Sequence, residues 1–328
     1  MFTSLAHLAQ YAQGVDTSLT IQDLAPALRT ARKRIEAIIT PAVYNAIAAL
    51  ADSEDTTTEH PLLTPLRTAL ANQALSTQLV FDSVSRRRSG TDVYKYELEA
   101  MRRAYAENYF SAMDTLIETL EGLAVEDGED DDGVNGLNGE NGQDSPSSPL
   151  DPLTPSSSSP SSPASLWLST RHHALLAACR IKTTADLDAI YPIDLSHLFF
   201  FRTIALQKET LDERLNAYYE RAGEMQDSPS SSTRTLLDLA LAKKTIAKAL
   251  RRFDPLELPP TIRNLVDDTT APSNRPAETL SALALADRLD QEAEQLLQSI
   301  DLLLDDQLAD IGTATAHNLP SDNIIMMP

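Results

Sequence analysis

Six histidines, one cysteine and 48 acidic residues are the groups in this 328-residue chain with the widest range of chemistry. The histidines are His7, His60, His172, His173, His197 and His317. A zinc site needs imidazoles and carboxylates at helical or short-loop spacing, as in HExxH, and no pair here has that arrangement. His172 and His173 are adjacent, so on a helix they point to different faces and read as surface or boundary residues. Cys179 closes the apolar run Ala174–Ala178 and reads as a small buried hydrophobe. A single cysteine excludes an intramolecular disulfide and fits a reducing compartment.

The stretch from Asp127 to Gly133 has the look of a calcium loop. Such a loop places an acid or Asn at positions one, three and five before its glycine. With Gly133 as that glycine, those positions are Gly128, Asp130 and Asp132, and the twelfth is Gly139 where Glu is required. The loop therefore fails at both ends. No GxGxxG, P-loop or GxSxG occurs, and the Asn-Gly pairs at 135, 138 and 141 are linker chemistry. The expectation is a chain without catalytic residues, cofactor or metal, and so not an enzyme.

What remains is contact chemistry. Arg86-Arg87-Arg88 is the sharpest local charge feature and can meet an acidic surface, or sit as positive charge at a helix end. Tyr94 and Tyr96, near the start of a long helix, are the aromatics best suited to touch another chain. Arg86, Arg87, Arg88, Tyr94 and Tyr96 are the candidate protein-contact residues.

Helices must position these groups. Ala and Leu dominate, aromatics are only 5 % of residues, and glycine is rare outside one segment, which favours an all-α fold. Thr20 with Asp23 forms a capping-box pattern opening a helix to about Ile39. Thr40-Pro41 and Thr64-Pro65 each read as N-cap and first helical position, the second starting a helix to about Ser85, where the arginines break the pattern. A long helix follows from about Asp92 to Glu121 with Gly122 as C-cap. Further on, Leu166–Arg180 reads as helical, Thr183 and Asp186 form another capping box, and Asp194 or Ser196 caps a helix to about Arg221. Residues 228–233 read as a loop, and helices follow over Leu236–Phe253 and Ala277–Leu308.

Between the two helical halves lies Val125 to Ser165, with nine acids, no base, six of the 19 prolines and five of the 10 glycines. Such a composition cannot bury enough apolar surface to offset its ordering entropy and predicts a disordered acidic, Ser/Pro-rich tether. It supplies −9 of the net charge of −21, leaving −12 on the rest. An acidic protein is repelled by phosphates, so no specific nucleic-acid binding is expected, and a basic partner suits it better. Met1–Gln10 lacks the features of a signal peptide, and no apolar run approaches the roughly 20 residues of a membrane span. The expected organisation is a helical module over 1–124, the tether over 125–165, a second module over 166–311 and a frayed tail over 312–328.

The final helices of the halves align without a gap. Adding 184 carries Met101, Tyr105, Tyr109, Ala112, Met113, Leu116 and Leu120 onto Leu285, Leu289, Ala293, Leu296, Leu297, Ile300 and Leu304. Each half also runs from a capped opening helix through a helix with basic residues near its end to a long acidic helix. A tandem duplication is the expectation.

Thr40-Pro41-Ala42-Val43-Tyr44-Asn45, after a basic opening helix, resembles the start of a tandem-module helical family encoded in tailed phages and prophages. Tyr96-Glu97-Leu98, Tyr105, Tyr109-Phe110, Leu116 and Leu120-Glu121 resemble its long helix. Trp167-Leu168-Ser169, Thr184–Ile190, Tyr191-Pro192-Ile193 and Phe199–Arg202 resemble its second module. More distantly, each module is similar to the head–tail adaptor (connector) proteins beneath a phage portal. The resemblance implies a non-enzymatic virion structural or assembly protein, made in the bacterial cytoplasm. Its implied partners are portal or neck proteins and further copies of itself in a ring, with no membrane. The other reading, from charge alone, is a soluble acidic regulatory or DNA-mimic protein that occupies a basic site. Loss of function on deleting Glu126–Asp144 would separate mimicry from ring assembly.

Overall fold

The computed structural model of the chain describes residues 1–16, 19–51, 60–88, 94–129, 162–224, 230–266 and 275–314. Every regular element among these residues is helical, as composition predicts. None of these helices is long and apolar enough to cross a membrane. Two units are present, Met1–Ala174 and Leu175–Pro328.

Unit 1 starts with one capped turn, α1 (Leu5–Leu8). Thr20 N then donates to Asp23 Oδ2 at 2.8 Å, and Asp23 N donates to Thr20 Oγ1 at 3.4 Å. This is the reciprocal geometry of a capping box. It closes the turn at 21–24, and regular helix α2 (Ala25–Ile39) begins directly after it. Ala27, Ala31, Ile35 and Ile39 recur every fourth residue on its buried face. Pro41 takes the first position of α3 (Pro41–Leu50), but Thr40 makes no cap hydrogen bond. It sits instead at φ 73°, ψ 152°, a conformation that strains a β-branched residue and turns the chain between two helices without a spacer.

The next helix, α4 (Leu63–Arg88), begins ahead of Thr64-Pro65 and runs three residues past Ser85. Arg86-Arg87-Arg88, expected to end the helix, are its last turn. Arginine is a good helix former, and positive charge is favoured at a helix C-terminus. α5 (Lys95–Glu129) likewise passes Gly122. Nothing approaches the place of a Cβ there, so this glycine serves no close contact. Its interior cost of about 1 kcal/mol is offset by burial of Leu120 and Ala124 on either side. Residues 125–129, expected in the tether, are thus helical.

α4 and α5 form an antiparallel pair, with Asn108 Nδ2 donating to Asn72 Oδ1 at 3.4 Å. α2 packs on α4. Tyr105 Oη donates to Gln13 O at 3.0 Å and ties the N-terminal segment to α5. α6 (Pro163–Leu168), capped by Ser162, packs on α3 and α5 and buries Trp167 completely. Residues 163–165 are therefore helical, and the segment from 166, expected to open the second module, starts within unit 1. α7 (Arg171–Ala177) carries the division between the units. The expected single helix over Leu166–Arg180 is two short ones, broken at Ser169-Thr170.

In unit 2, Thr183 and Asp186 make a complete capping box for α8 (Thr184–Ile190). Ser196, not Asp194, caps α9 (His197–Thr210), accepting from Phe199 N at 3.2 Å. The run continues through a π-helical turn, Leu211–Leu215, into α10 (Asn216–Glu224). α11 (Ser230–Arg252) starts inside the stretch expected as a loop. A 3₁₀ turn at Pro255–Glu257 leads to α12 (Pro260–Val266). Asp194 accepts from Thr261 N at 2.7 Å, so it serves the first turn of α12 instead. Its own φ of 57°, and the 51° of Leu195, are held by Asp188 Oδ1, which accepts from Ile193 N and Leu195 N.

α13 (Arg275–Ala314) pairs with α11, and α9 packs on the other side of α11. Leu289, Ala293, Leu297, Ile300 and Leu304 are buried on α13; Tyr105, Tyr109, Met113, Leu116 and Leu120, 184 residues earlier, are buried on α5. Met101 departs from the stripe and is 41 % exposed. Cys179 is buried, as its surroundings predict.

Candidate protein-contact surface

The contact candidates lie together in sequence around the tip of the α4–α5 hairpin. Arg86, Arg87 and Arg88 form the last turn of α4; their side chains lie outside the described residues. Tyr94 and Tyr96, at the start of α5, are 57 % and 65 % exposed. Their rings stack with centroids 5.7 Å apart and an interplanar angle of 29°. Tyr96 Oη donates to Glu97 Oε1 at 3.3 Å, and the carboxylate's negative charge pushes the phenol above its ordinary pKa.

Three more exposed apolar residues on these two helices escape sequence reasoning: Val80, Phe81 at 63 % exposure, and Met101. The Asn72–Asn108 bond puts these positions level with one another across the hairpin, since both helices rise equally per residue. A signal was present. Leu79-Val80-Phe81 is three consecutive apolar residues, wider than one buried helix face accommodates.

A second basic surface, on α11, is different. Lys243 pairs with Glu292 at 2.7 Å, and Lys244 with Glu294 at 2.6 Å, both acids on α13. Arg251 meets Asp287 at 2.8 Å on the same helix. On the other flank, Lys248 and Arg252 both reach Glu209, at 3.0 and 2.6 Å. The hydrogen bond from Arg252, followed by that from Lys248, lowers the Glu209 carboxyl to about 2. A cleft of about 650 Å³ runs along this face, lined by Lys244, Lys248, Arg251, Glu213, Asp290 and Glu294. Three charges of each sign leave it without a preference for an ion.

Unit 1 has a smaller cleft of about 430 Å³ beside Asn72. That amide donates to Tyr11 O at 3.1 Å and Thr68 O at 2.8 Å, so it fastens the N-terminal segment to α4.

The histidines do not converge. His7 packs edge-on to Phe2 and Tyr11, and His60 Nδ1 accepts from Leu62 N at 3.2 Å. His173 sits edge-on to Trp167, and His197 Nδ1 lies 3.3 Å from Thr184 Oγ1. Partial burial pushes both His172 and His173 below the usual imidazole pKa. His317 lies outside the described residues, as does the calcium-like stretch beyond Glu129. Among the described residues no group of three or more His, Cys, Asp or Glu is placed to hold a metal ion.

No protein-family model matches the chain, and no curated protein or solved structure matches it.

Proposed function

We propose that the chain is a non-enzymatic structural or assembly protein of tailed phages or prophages, acting at the head–tail neck through protein–protein contacts. The observation that carries this reading is the stacked, solvent-exposed Tyr94–Tyr96 pair on a hairpin that also bears exposed Phe81 and, at the end of α4, three consecutive arginines. Exposed aromatics grouped with arginine are the composition of protein interfaces and not of idle surface. The two units are read as a tandem duplication. What supports this is the shared plan, an opening helix packed on the first member of a long antiparallel pair, and the common buried register of α5 and α13. Residues 130–161 are read as the tether between the modules, and the portal and neck proteins as the partners in the virion.

Deletion of the gene from its phage or prophage, followed by electron microscopy of the lysate, tests the proposal. Filled heads and unattached tails are the expected products, with the chain present in wild-type particles by mass spectrometry. Complete particles that contain none of the chain would refute it.

A further inference from the structure

The α4–α5 hairpin of unit 1 carries opposite charge at its two ends. Arg86, Arg87 and Arg88 end α4, and Lys95, Arg102 and Arg103 open α5, six bases against the four acids Asp82, Asp92, Glu97 and Glu99 of the same stretch. The tip is therefore net positive in a chain of net charge −21. From Ala104 to Glu129, α5 bears seven acids, ending in Glu126, Asp127 and Glu129, and no base. A helix rises about 1.5 Å per residue, so Lys95 and Glu126 stand about 45 Å apart. That is several times the Debye length of about 8 Å at physiological salt. The same helix holds the two ends apart, so they cannot meet within one hairpin.

We infer that the basic, aromatic tip of one hairpin docks on the acidic C-terminal end of α5 in a second copy of this chain. The inference rests on the assembly reading above and supplies its first contact. Like ends repel, which disfavours tip-on-tip and tail-on-tail pairs. Opposite ends attract, and the exposed Phe81, Tyr94, Tyr96 and Met101 at the tip add apolar area to the contact. A heterologous contact of this kind repeats into a ring when its rotation closes. In an antiparallel pair the same contact is made twice; both assemblies place tip on acidic end.

Sedimentation velocity of the full chain tests it, at about 50 mM and about 500 mM salt, where the Debye length falls from about 14 to about 4 Å. The wild type is expected to associate in low salt and to become monomeric in high salt. Arg86→Glu/Arg87→Glu/Arg88→Glu has two acidic ends, and Glu126→Lys/Asp127→Lys/Glu129→Lys/Asp130→Lys/Asp131→Lys/Asp132→Lys, whose six lysines outnumber the remaining Glu118 and Glu121, has two basic ends. Each alone should associate at least tenfold more weakly. Mixed in equal amounts they should associate again, because each supplies the end the other lacks, and this rescue also shows that both fold. A wild type that stays monomeric in low salt, a reversal that leaves association unchanged, or a mixture that fails to restore it overturns the contact. None of those results decides the neck-assembly reading, which stands or falls on particle composition.

Discussion

On α11, Lys244, Lys248 and Arg251 recur at intervals of four and three, and each meets a carboxylate of a neighbouring helix. On the unit 1 hairpin, Arg86, Arg87 and Arg88 follow one another with no interval, and exposed Tyr94 and Tyr96 come a few residues later in the chain. Spacing explains the difference. Residues three and four apart share one helix face, so all three bases reach the carboxylates that flank it, Lys244 and Arg251 those of α13 and Lys248 that of Glu209 on α9. Consecutive residues turn by about 100° each and spread around the axis, so they share no such face. The spaced cluster is a structural device, and the consecutive cluster is read as a surface for another molecule.

Several substitutions would break or sharpen that contrast. The largest effect concerns the core that both surfaces stand on. Leu116→Ala and Ile300→Ala remove fully buried side chains at equivalent register positions, so each should cost about 2–5 kcal/mol in urea unfolding. A loss below about 1 kcal/mol at either position would break the equivalence of the two helices.

Next comes the α11 face. Lys248→Ala with Arg252→Ala removes both partners of Glu209, whose side chain is 35 % exposed. Solvent screening limits the expected loss to about 1–2 kcal/mol. The same carboxyl gives a pH signature. Its folded pKa, about 2, lies below the ordinary value of 4.5. Its contribution is therefore present above the unfolded value and lost as pH falls from 4.5 towards 2. Glu209→Gln should flatten that part of the stability–pH curve, and an unchanged slope would assign the ion pairs no stabilising role.

A smaller effect of opposite sign is expected at Thr40. Thr40→Gly relieves a positive φ and should leave stability equal or higher by up to about 1 kcal/mol in thermal unfolding. The smallest belongs to the tip. Arg86→Ala/Arg87→Ala/Arg88→Ala should change stability by less than about 0.5 kcal/mol, as surface substitutions do. A loss comparable to that of the Lys248/Arg252 pair would make the tip structural as well.

Local signals were legible in the sequence. Thr183 with Asp186, Pro41 at the start of α3 and the apolar stripe of α5 depend on residues within a turn or two, and they appear where expected, whereas Thr20 with Asp23 closes a turn ahead of α2, whose N-cap is Leu24. Helix ends were less legible. Arg86–Arg88 and Gly122 looked like terminators, yet tertiary packing and propensity carried both helices further. The placement of Trp167 in unit 1 and the α11–α13 ion pairs join residues about 40 to 120 positions apart, beyond any local rule. The pairs did leave a trace, since Asp287 and Glu294 are seven residues apart, as are Arg251 and Lys244, the bases they meet. Among the contact residues, the arginines and tyrosines were visible as types. Phe81 left only the trace of a three-residue apolar run and Met101 left none, because exposure of an apolar residue is a property of packing.

The contrast between the two basic surfaces is tested most directly by sedimentation velocity in low salt, comparing Arg86→Ala/Arg87→Ala/Arg88→Ala with Lys248→Ala/Arg252→Ala. The tip variant should lose the assembled species while the α11 variant retains it. Assembly that survives loss of the tip arginines and vanishes with the α11 pair would contradict the account.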